Sequence, residues 1–244
     1  MNDPGTETGV EGAFETGTVA AQGLFPTPLI SARIKDGASI NGDLRAIILA
    51  REQVERGIVV SNQGGWHSTG FGSWCGSAGS AVLDAARHLV DEMTVMERGD
   101  GLVPAQVGWT VTAWANVNRA GDRNRPHAHA GAFWSGVYWV DDGDADGEAS
   151  AGGMLELADP RGILPSMVAP HLRCALRACD GAGSGQLVTP RAGTMVLFPS
   201  WLIHSVTPYT GERPRISVAF NFALGGGLAM PTRTPASGDT VRGM

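Results

Sequence analysis

Six histidines occur in the chain, and two of them, His127 and His129, stand one residue apart just before the apolar run Phe133-Trp-Ser-Gly-Val-Tyr-Trp-Val140. On an extended chain, residues i and i+2 face the same side roughly 6.5–7 Å apart, so two imidazoles can converge on one ion. The bland alternative is a solvated pair in a loop after Arg123-Asn-Arg-Pro126. A third histidine shifts the balance. His204 lies in Phe198-Pro-Ser-Trp-Leu-Ile-His-Ser-Val206, an otherwise apolar stretch where an unpaired ring would be costly to bury, and a ligand role explains it. Further on comes Arg215-Ile-Ser217, with Arg215 and Ser217 on one strand face and Ile216, Val218 and Phe220 on the other. An inward arginine needs an anion, and its planar fork best matches a carboxylate. The rival is a buried ion pair with an Asp or Glu of the chain.

The elements that must position these groups are legible in outline. Residues 1–23 have no apolar period and read as a flexible leader, and Leu24–Ile34 reads as extended because its prolines disfavour helix in the residues before them. A helix is expected from a cap at Asn41 or Asp43 to Gly57, carrying Leu44, Ile47, Ile48 and Val54. A second is expected from about Ser80 to Gly99, with Leu83, Ala86, Val90, Met93 and Met96 on one face. From Ala105 the period becomes two, as in a long strand. Further strands are expected at 132–140, 153–158, 185–190, 193–198, 201–207 and 215–223. Trp109, Trp134 and Trp139 read as core. The whole is one α+β, mainly β, domain over 24–224, a sandwich or jelly roll with N-terminal helices packed on one sheet, followed by a flexible tail at 225–244.

The ordered set His127-x-His129, Gly152-Gly-Met-Leu-Glu-Leu157, His204 and Arg215-x-Ser217 resembles the Fe(II)/2-oxoglutarate-dependent dioxygenase superfamily. More narrowly, Ser61-Asn-Gln-Gly-Gly-Trp-His-Ser68, Trp114-Ala-Asn-Val-Asn118, Ser135-Gly-Val-Tyr138 and Phe198-Pro-Ser-Trp-Leu-Ile-His204 are similar to a group of 2-oxoglutarate/Fe(II) oxygenases of largely undefined substrate. The resemblance implies a double-stranded β-helix, with Fe(II), 2-oxoglutarate and O2 as cofactor and cosubstrates. It implies a hydroxylation or desaturation of a small-molecule or amino-acid-like substrate that releases succinate and CO2. Carried over, His127 and His204 become metal ligands, and Arg215 with Ser217 holds the distal carboxylate of 2-oxoglutarate. Asn116 and Asn118 are candidates for contacts to that cosubstrate, and Trp66 and His67 for the substrate mouth.

This chain departs from the family at one position, where His129 stands in place of the usual carboxylate. Three readings follow: a three-histidine site, a carboxylate from elsewhere such as Glu156, or a shifted register in which His129 and Gly131 match the His-x-Gly of iron halogenases. The three-histidine reading is favoured because the His127 register keeps its spacing to the next strand and to Arg215. With three protein ligands and a bidentate cosubstrate, an octahedral ion keeps one position for O2 and none for chloride. A cupin-type metal dioxygenase or isomerase is a further alternative, weakened by Phe133-Trp134 where a Glu ligand is expected and by having no use for Arg215-x-Ser217. A non-catalytic binding module on the same fold is another, and the intact His127, His204 and Arg215 speak against it.

Composition narrows the partners. With 43% hydrophobic and 17% charged residues in 244, the chain can bury a core. Its net charge is −6 and no basic stripe stands out, so nucleic acid is not expected. No apolar run approaches the roughly 20 residues that cross a bilayer, so no membrane span is expected either. Cys75, Cys174 and Cys179 read as plain thiols in a reducing cytoplasm. The expected partner is a small-molecule substrate, with homodimerisation left open. Asp142–Glu148 mimics a calcium loop but has Gly153 at its twelfth position and reads as an acidic hairpin. Gly181–Gly185 reads as a turn, and His88 and His171 as surface or satisfied core residues.

Overall fold

A computed structural model describes residues 25–99, 101–145, 150–164, 167, 169, 171 and 185–225. In chain order its elements are β1 (Ile30–Arg33), α1 (Gly37–Val54), β2 (Asn62–Gln63), β3 (Trp66–His67), α2 (Phe71–Trp74), α3 (Gly76–Glu92), β4 (Val95–Arg98) and β5 (Gly101–Pro104). They continue with β6 (Trp109–Asn118), β7 (Arg123–His127), β8 (Trp134–Asp141), β9 (Leu155–Leu157), β10 (Gln186–Val188), β11 (Thr194–Pro199), β12 (His204–Val206) and β13 (Arg215–Leu224). The chain is mainly β, as the sequence suggests. The leader 1–23, the tail beyond Gly225, Cys174, Cys179 and residues 146–148 of the acidic stretch lie outside the described residues.

Strand β13 shows how pattern becomes architecture. Ile216, Val218, Phe220 and Phe222 point to one face, where they join Leu44 and Ile48 of α1 and Val82, Ala86 and Val90 of α3 in a single buried cluster. Burying each large side chain is worth roughly 1.5–3 kcal/mol, and a one-residue slip would turn all four strand residues to the wrong face. Arg215, Ser217 and Ala219 therefore face the other way, into a cavity. β13 pairs antiparallel with β6 along its whole length and with β8, at the centre of a six-stranded sheet ordered β1-β11-β8-β13-β6-β3. A five-stranded sheet, β10-β9-β12-β7-β2, supplies the opposite wall of that cavity. The helices pack on the outer face of the larger sheet, as expected, and a second cluster around Trp139, Leu155, Leu157 and Phe198 fills space between the sheets.

Several boundaries differ from the sequence reading. Helix α1 starts at Gly37 after Asp36, whose φ is 58°, and neither Asn41 nor Asp43 caps it. Asn41 lies inside the helix, where its Oδ1 accepts a 2.6 Å hydrogen bond from the Tyr138 hydroxyl. α3 runs Gly76–Glu92, so the helical spacing that carried Met93 and Met96 onward is coincidental. There the chain turns back through the hairpin β4–β5, and the Thr94 hydroxyl, bonded to the Val90 carbonyl, closes the helix end while accepting the Trp134 indole N–H. The short strands β2, β3 and β7 were not expected. β2 and β3 join at a Gly64-Gly65 corner with φ of 73° and 64°, where a Cβ on Gly64 would strike Asp122. That corner sends β2 to the edge of one sheet, against β7, and β3 to the edge of the other, against β6. No described helix is long and apolar enough to cross a membrane.

Candidate active site

His127 and His204 are cross-strand partners, on β7 and β12. Opposite Val206 and His204, β7 spends the span Asn124–His127, one residue too many, and this bulge turns both Asn124 and His127 into the cavity. Each ring is then oriented by its own backbone. His127 Nδ1 lies 2.7 Å from the Arg125 carbonyl oxygen, and His204 Nδ1 lies 2.9 Å from that of Leu202. A carbonyl only accepts, so each Nδ1 carries a proton and Nε2 is the nitrogen left to face a metal, the arrangement a ligand needs.

His129 reaches the same point by a different route. It is past the end of β7, in a loop whose backbone N–H at 129 donates to the Ser200 carbonyl at 3.0 Å. Ser200 also donates from its own N–H to the Phe133 carbonyl and from its hydroxyl to the Ala132 carbonyl, tying the two loops together. The pair is thus not a simple clip on one extended face. Even so, the ring centroids of the three histidines are 4.3–5.0 Å apart, and one nitrogen from each falls within 4.8 Å of the others. Burial, then the neighbouring imidazoles, pushes His129 down to about 3, and burial takes His204 down to about 4. Both rings are neutral at ordinary pH. Three converging imidazoles, two of them oriented by backbone carbonyls, fit a divalent first-row metal.

Glu156 does not join them. On β9, Leu155 faces the cavity while Glu156 faces out, opposite Ser205, whose hydroxyl donates to its carboxylate at 2.8 Å. Gly131 is exposed, and His127, which the shifted register leaves outside the metal's ligand set, is within the cluster.

Deeper in the same cavity lies Arg215, only 2% exposed. Its Nη1 donates to Asn118 Oδ1 at 3.2 Å, its Nε is buried without a partner, and no carboxylate among the described residues pairs with it. Burial pushes the guanidinium down to about 10. The internal ion pair weighed against a ligand role is therefore absent among the described residues, and an arginine so placed suits an incoming carboxylate. Gly153 makes room for it: a Cβ there would come within 2.8 Å of Arg215 Cδ, and its φ of 64° suits glycine alone. Ser217, Asn116 and Asn118 line this cavity beside it, with Asn118 and Asn116 directly opposite Arg215 and Ser217 in the ladder.

The inner cavity, ≈ 60 Å³, opens past His127, His129 and Trp114 into a mouth of ≈ 460 Å³. His67 lines that mouth, stacked on Trp114 at 5.4 Å, and Trp114 in turn meets His129 edge-on at 5.5 Å. Trp66 does not reach it. Its side chain is turned into the core, with the indole N–H donating to the Glu55 carbonyl at 2.8 Å, because β3 places neighbouring residues on opposite faces. Trp114, Arg125 and Ser61 are lining residues the sequence reading did not assign. The signal for Trp114 was present, since Trp114, Asn116 and Asn118 share one face of β6.

Residues 112–221 match the model of the family described as "Putative 2OG-Fe(II) oxygenase". That span contains the three histidines, Arg215, Ser217, Asn116 and Asn118, and leaves His67 outside. Among solved structures, a Pseudomonas putida prolyl-4-hydroxylase aligns with a TM-score of 0.54 at 17% identity, covering 82% of this chain and 94% of that one. A Trichoplax adhaerens prolyl hydroxylase, solved with a hypoxia inducible factor oxygen degradation domain peptide, aligns with a TM-score of 0.54 at 14% identity over 80% and 83%. AviO1 from Streptomyces viridochromogenes Tue57 aligns at 0.51, with 11% identity over 83% and 92%. No curated protein matches the chain. The resemblance to the 2-oxoglutarate/Fe(II) oxygenases read from the sequence is borne out by the family match, and at such low identities the structural likenesses show the fold.

Proposed function

We propose that this protein is an Fe(II)- and 2-oxoglutarate-dependent oxygenase built on a double-stranded β-helix, hydroxylating or desaturating a small-molecule or amino-acid-like substrate and releasing succinate and CO2. The observation that carries the reading is one cavity holding both halves of the chemistry: three converging imidazoles at its neck and, at its inner end, a buried arginine with no ion pair among the described residues. His127, His129 and His204 would hold the iron, and Arg215, assisted by Ser217, the distal carboxylate of 2-oxoglutarate. When bound, the iron activates O2, of which one oxygen atom ends in succinate and, in hydroxylation, the other in the product.

The chain's own groups do the rest. The Arg125 and Leu202 carbonyls keep the protons on Nδ1 of His127 and His204. Asn118 orients the Arg215 fork. The two sheets exclude water from the inner cavity, which strengthens the pairing of Arg215 with a carboxylate. With a neutral His129 where a carboxylate is usual, the site carries one more positive charge, so the cosubstrate dianion contributes more to its charge balance. Incubation with Fe(II), 2-oxoglutarate and O2 tests the reading by succinate release, measured by mass spectrometry. Release that depends on iron and is lost in His204→Ala supports it. Iron-loaded protein that leaves 2-oxoglutarate unconsumed, with every candidate substrate offered, argues for a binding module instead.

A further inference from the structure

The mouth has a charge pattern that selects among substrates. Of the residues lining it, Arg125 is the only one with a permanent charge, and no Asp or Glu is among them. Arg125 enters no ion pair among the described residues. It is held in place all the same: its backbone N–H donates to the Ser61 carbonyl at 2.9 Å and its side-chain Nη2 to the Val60 carbonyl at 3.1 Å. A guanidinium has five N–H donors, so four remain for a ligand. Beside Arg125, the side chains of Trp114, Val60 and Pro126 give the mouth apolar surface. The arginine also sits two residues from His127, in the β7 bulge, and its carbonyl fixes that ring. An anion held by the Arg125 side chain therefore shares one mouth with Trp114 and with His127 and His129 of the cluster.

We infer that the substrate is an apolar-bodied carboxylic acid, with its carboxylate on Arg125, its body against Trp114 and the reacting C–H turned to the metal site. The inference rests on the oxygenase reading and adds to it the substrate class and the residue that selects it. A cationic substrate is disfavoured by Arg125, which no lining carboxylate balances. The same carboxylate chemistry is presented by a free small acid and by a peptide C-terminus, and the test distinguishes them.

Hydrocinnamate, its primary amide and the matching amine are titrated calorimetrically into the Fe(II)-loaded protein under anaerobic, saturating 2-oxoglutarate, which keeps Arg215 occupied. A short apolar peptide and its C-terminally amidated form make a second pair. The acid of at least one pair should bind about tenfold or more tightly than its amide, as expected of a charge-assisted hydrogen bond, and the amine should not bind. Arg125→Gln should remove the preference and Arg125→Lys should restore part of it. Preference confined to the peptide pair assigns the carboxylate to a chain terminus. Equal binding of acid and amide in both pairs, no binding of either acid, or a preference that survives Arg125→Gln overturns the inference. None of these outcomes touches succinate release, so the oxygenase reading stands or falls separately.

Discussion

Replacing Arg215 with methionine should make the ligand-free protein more stable while disabling it. Arg215 is 2% exposed, has one neutral hydrogen-bond partner in Asn118, and is pushed by burial well below the ordinary guanidinium range, to about 10. At about 1.4 kcal/mol per pH unit, keeping that cation buried costs on the order of 3 kcal/mol. The Asn118 hydrogen bond returns about 1 kcal/mol. Methionine has a similar reach without the charge, so Arg215→Met should gain about 2 kcal/mol, within the range seen when buried charges give way to apolar side chains. In the loaded protein the order reverses. Losing one partner of a desolvated charge pair costs about 2–5 kcal/mol, so 2-oxoglutarate affinity should fall roughly thirtyfold or more. Urea denaturation of the metal-free protein reads the first effect and calorimetric titration of 2-oxoglutarate into the metal-loaded protein reads the second. A variant that is less stable than the parent and binds 2-oxoglutarate as well would show that Arg215 is a structural residue.

Single alanine substitutions at His127, His129 and His204 should each lower bound iron at least tenfold, by metal analysis after dialysis, with far-UV circular dichroism unchanged. Normal iron content in His127→Ala alone would favour the shifted register with Gly131. The metal-free protein should lose stability as pH falls from about 6.5 toward 4, because His129 and His204, held near 3 and 4 when folded, take up protons first in the unfolded chain. The slope approaches about 1.4 kcal/mol per pH unit for each ring, vanishes above pH 7, and is read from denaturation midpoints across pH. Gly153→Ala forces a Cβ into the Arg215 side chain at a positive φ, and should cost about 1–3 kcal/mol by urea melt and weaken 2-oxoglutarate binding along with it.

Much of the candidate site is legible in residue types and spacing. The period of two through Arg215–Phe222 separates the cavity face from the core face without any structure, because each face is buried against a different partner. His204 stands out as a polar ring in an apolar strand for the same reason. What the sequence hides is set by long-range pairing. The β7 bulge that turns His127 inward exists only opposite β12, and the loop holding His129 is shaped by Ser200, far away in the chain. Trp66 and His67 look equivalent after the Gly-Gly corner, and only the pairing of β3 with β6 sends one to the core and the other to the mouth. The helix misread through Met96 has an apolar spacing that suits either continuation, and the hairpin β4–β5 wins there by pairing its own backbone.

The central claim, one cavity that holds iron on three histidines and 2-oxoglutarate on Arg215, is tested most directly by titrating 2-oxoglutarate anaerobically into the Fe(II)-loaded protein and following the visible charge-transfer band of the chelated cosubstrate. The account predicts a band that saturates at one equivalent per chain, is absent in His204→Ala, needs far more 2-oxoglutarate in Arg215→Met, and does not shift with added chloride. An iron-loaded protein that develops no band, or a band that saturates equally in Arg215→Met, would contradict it.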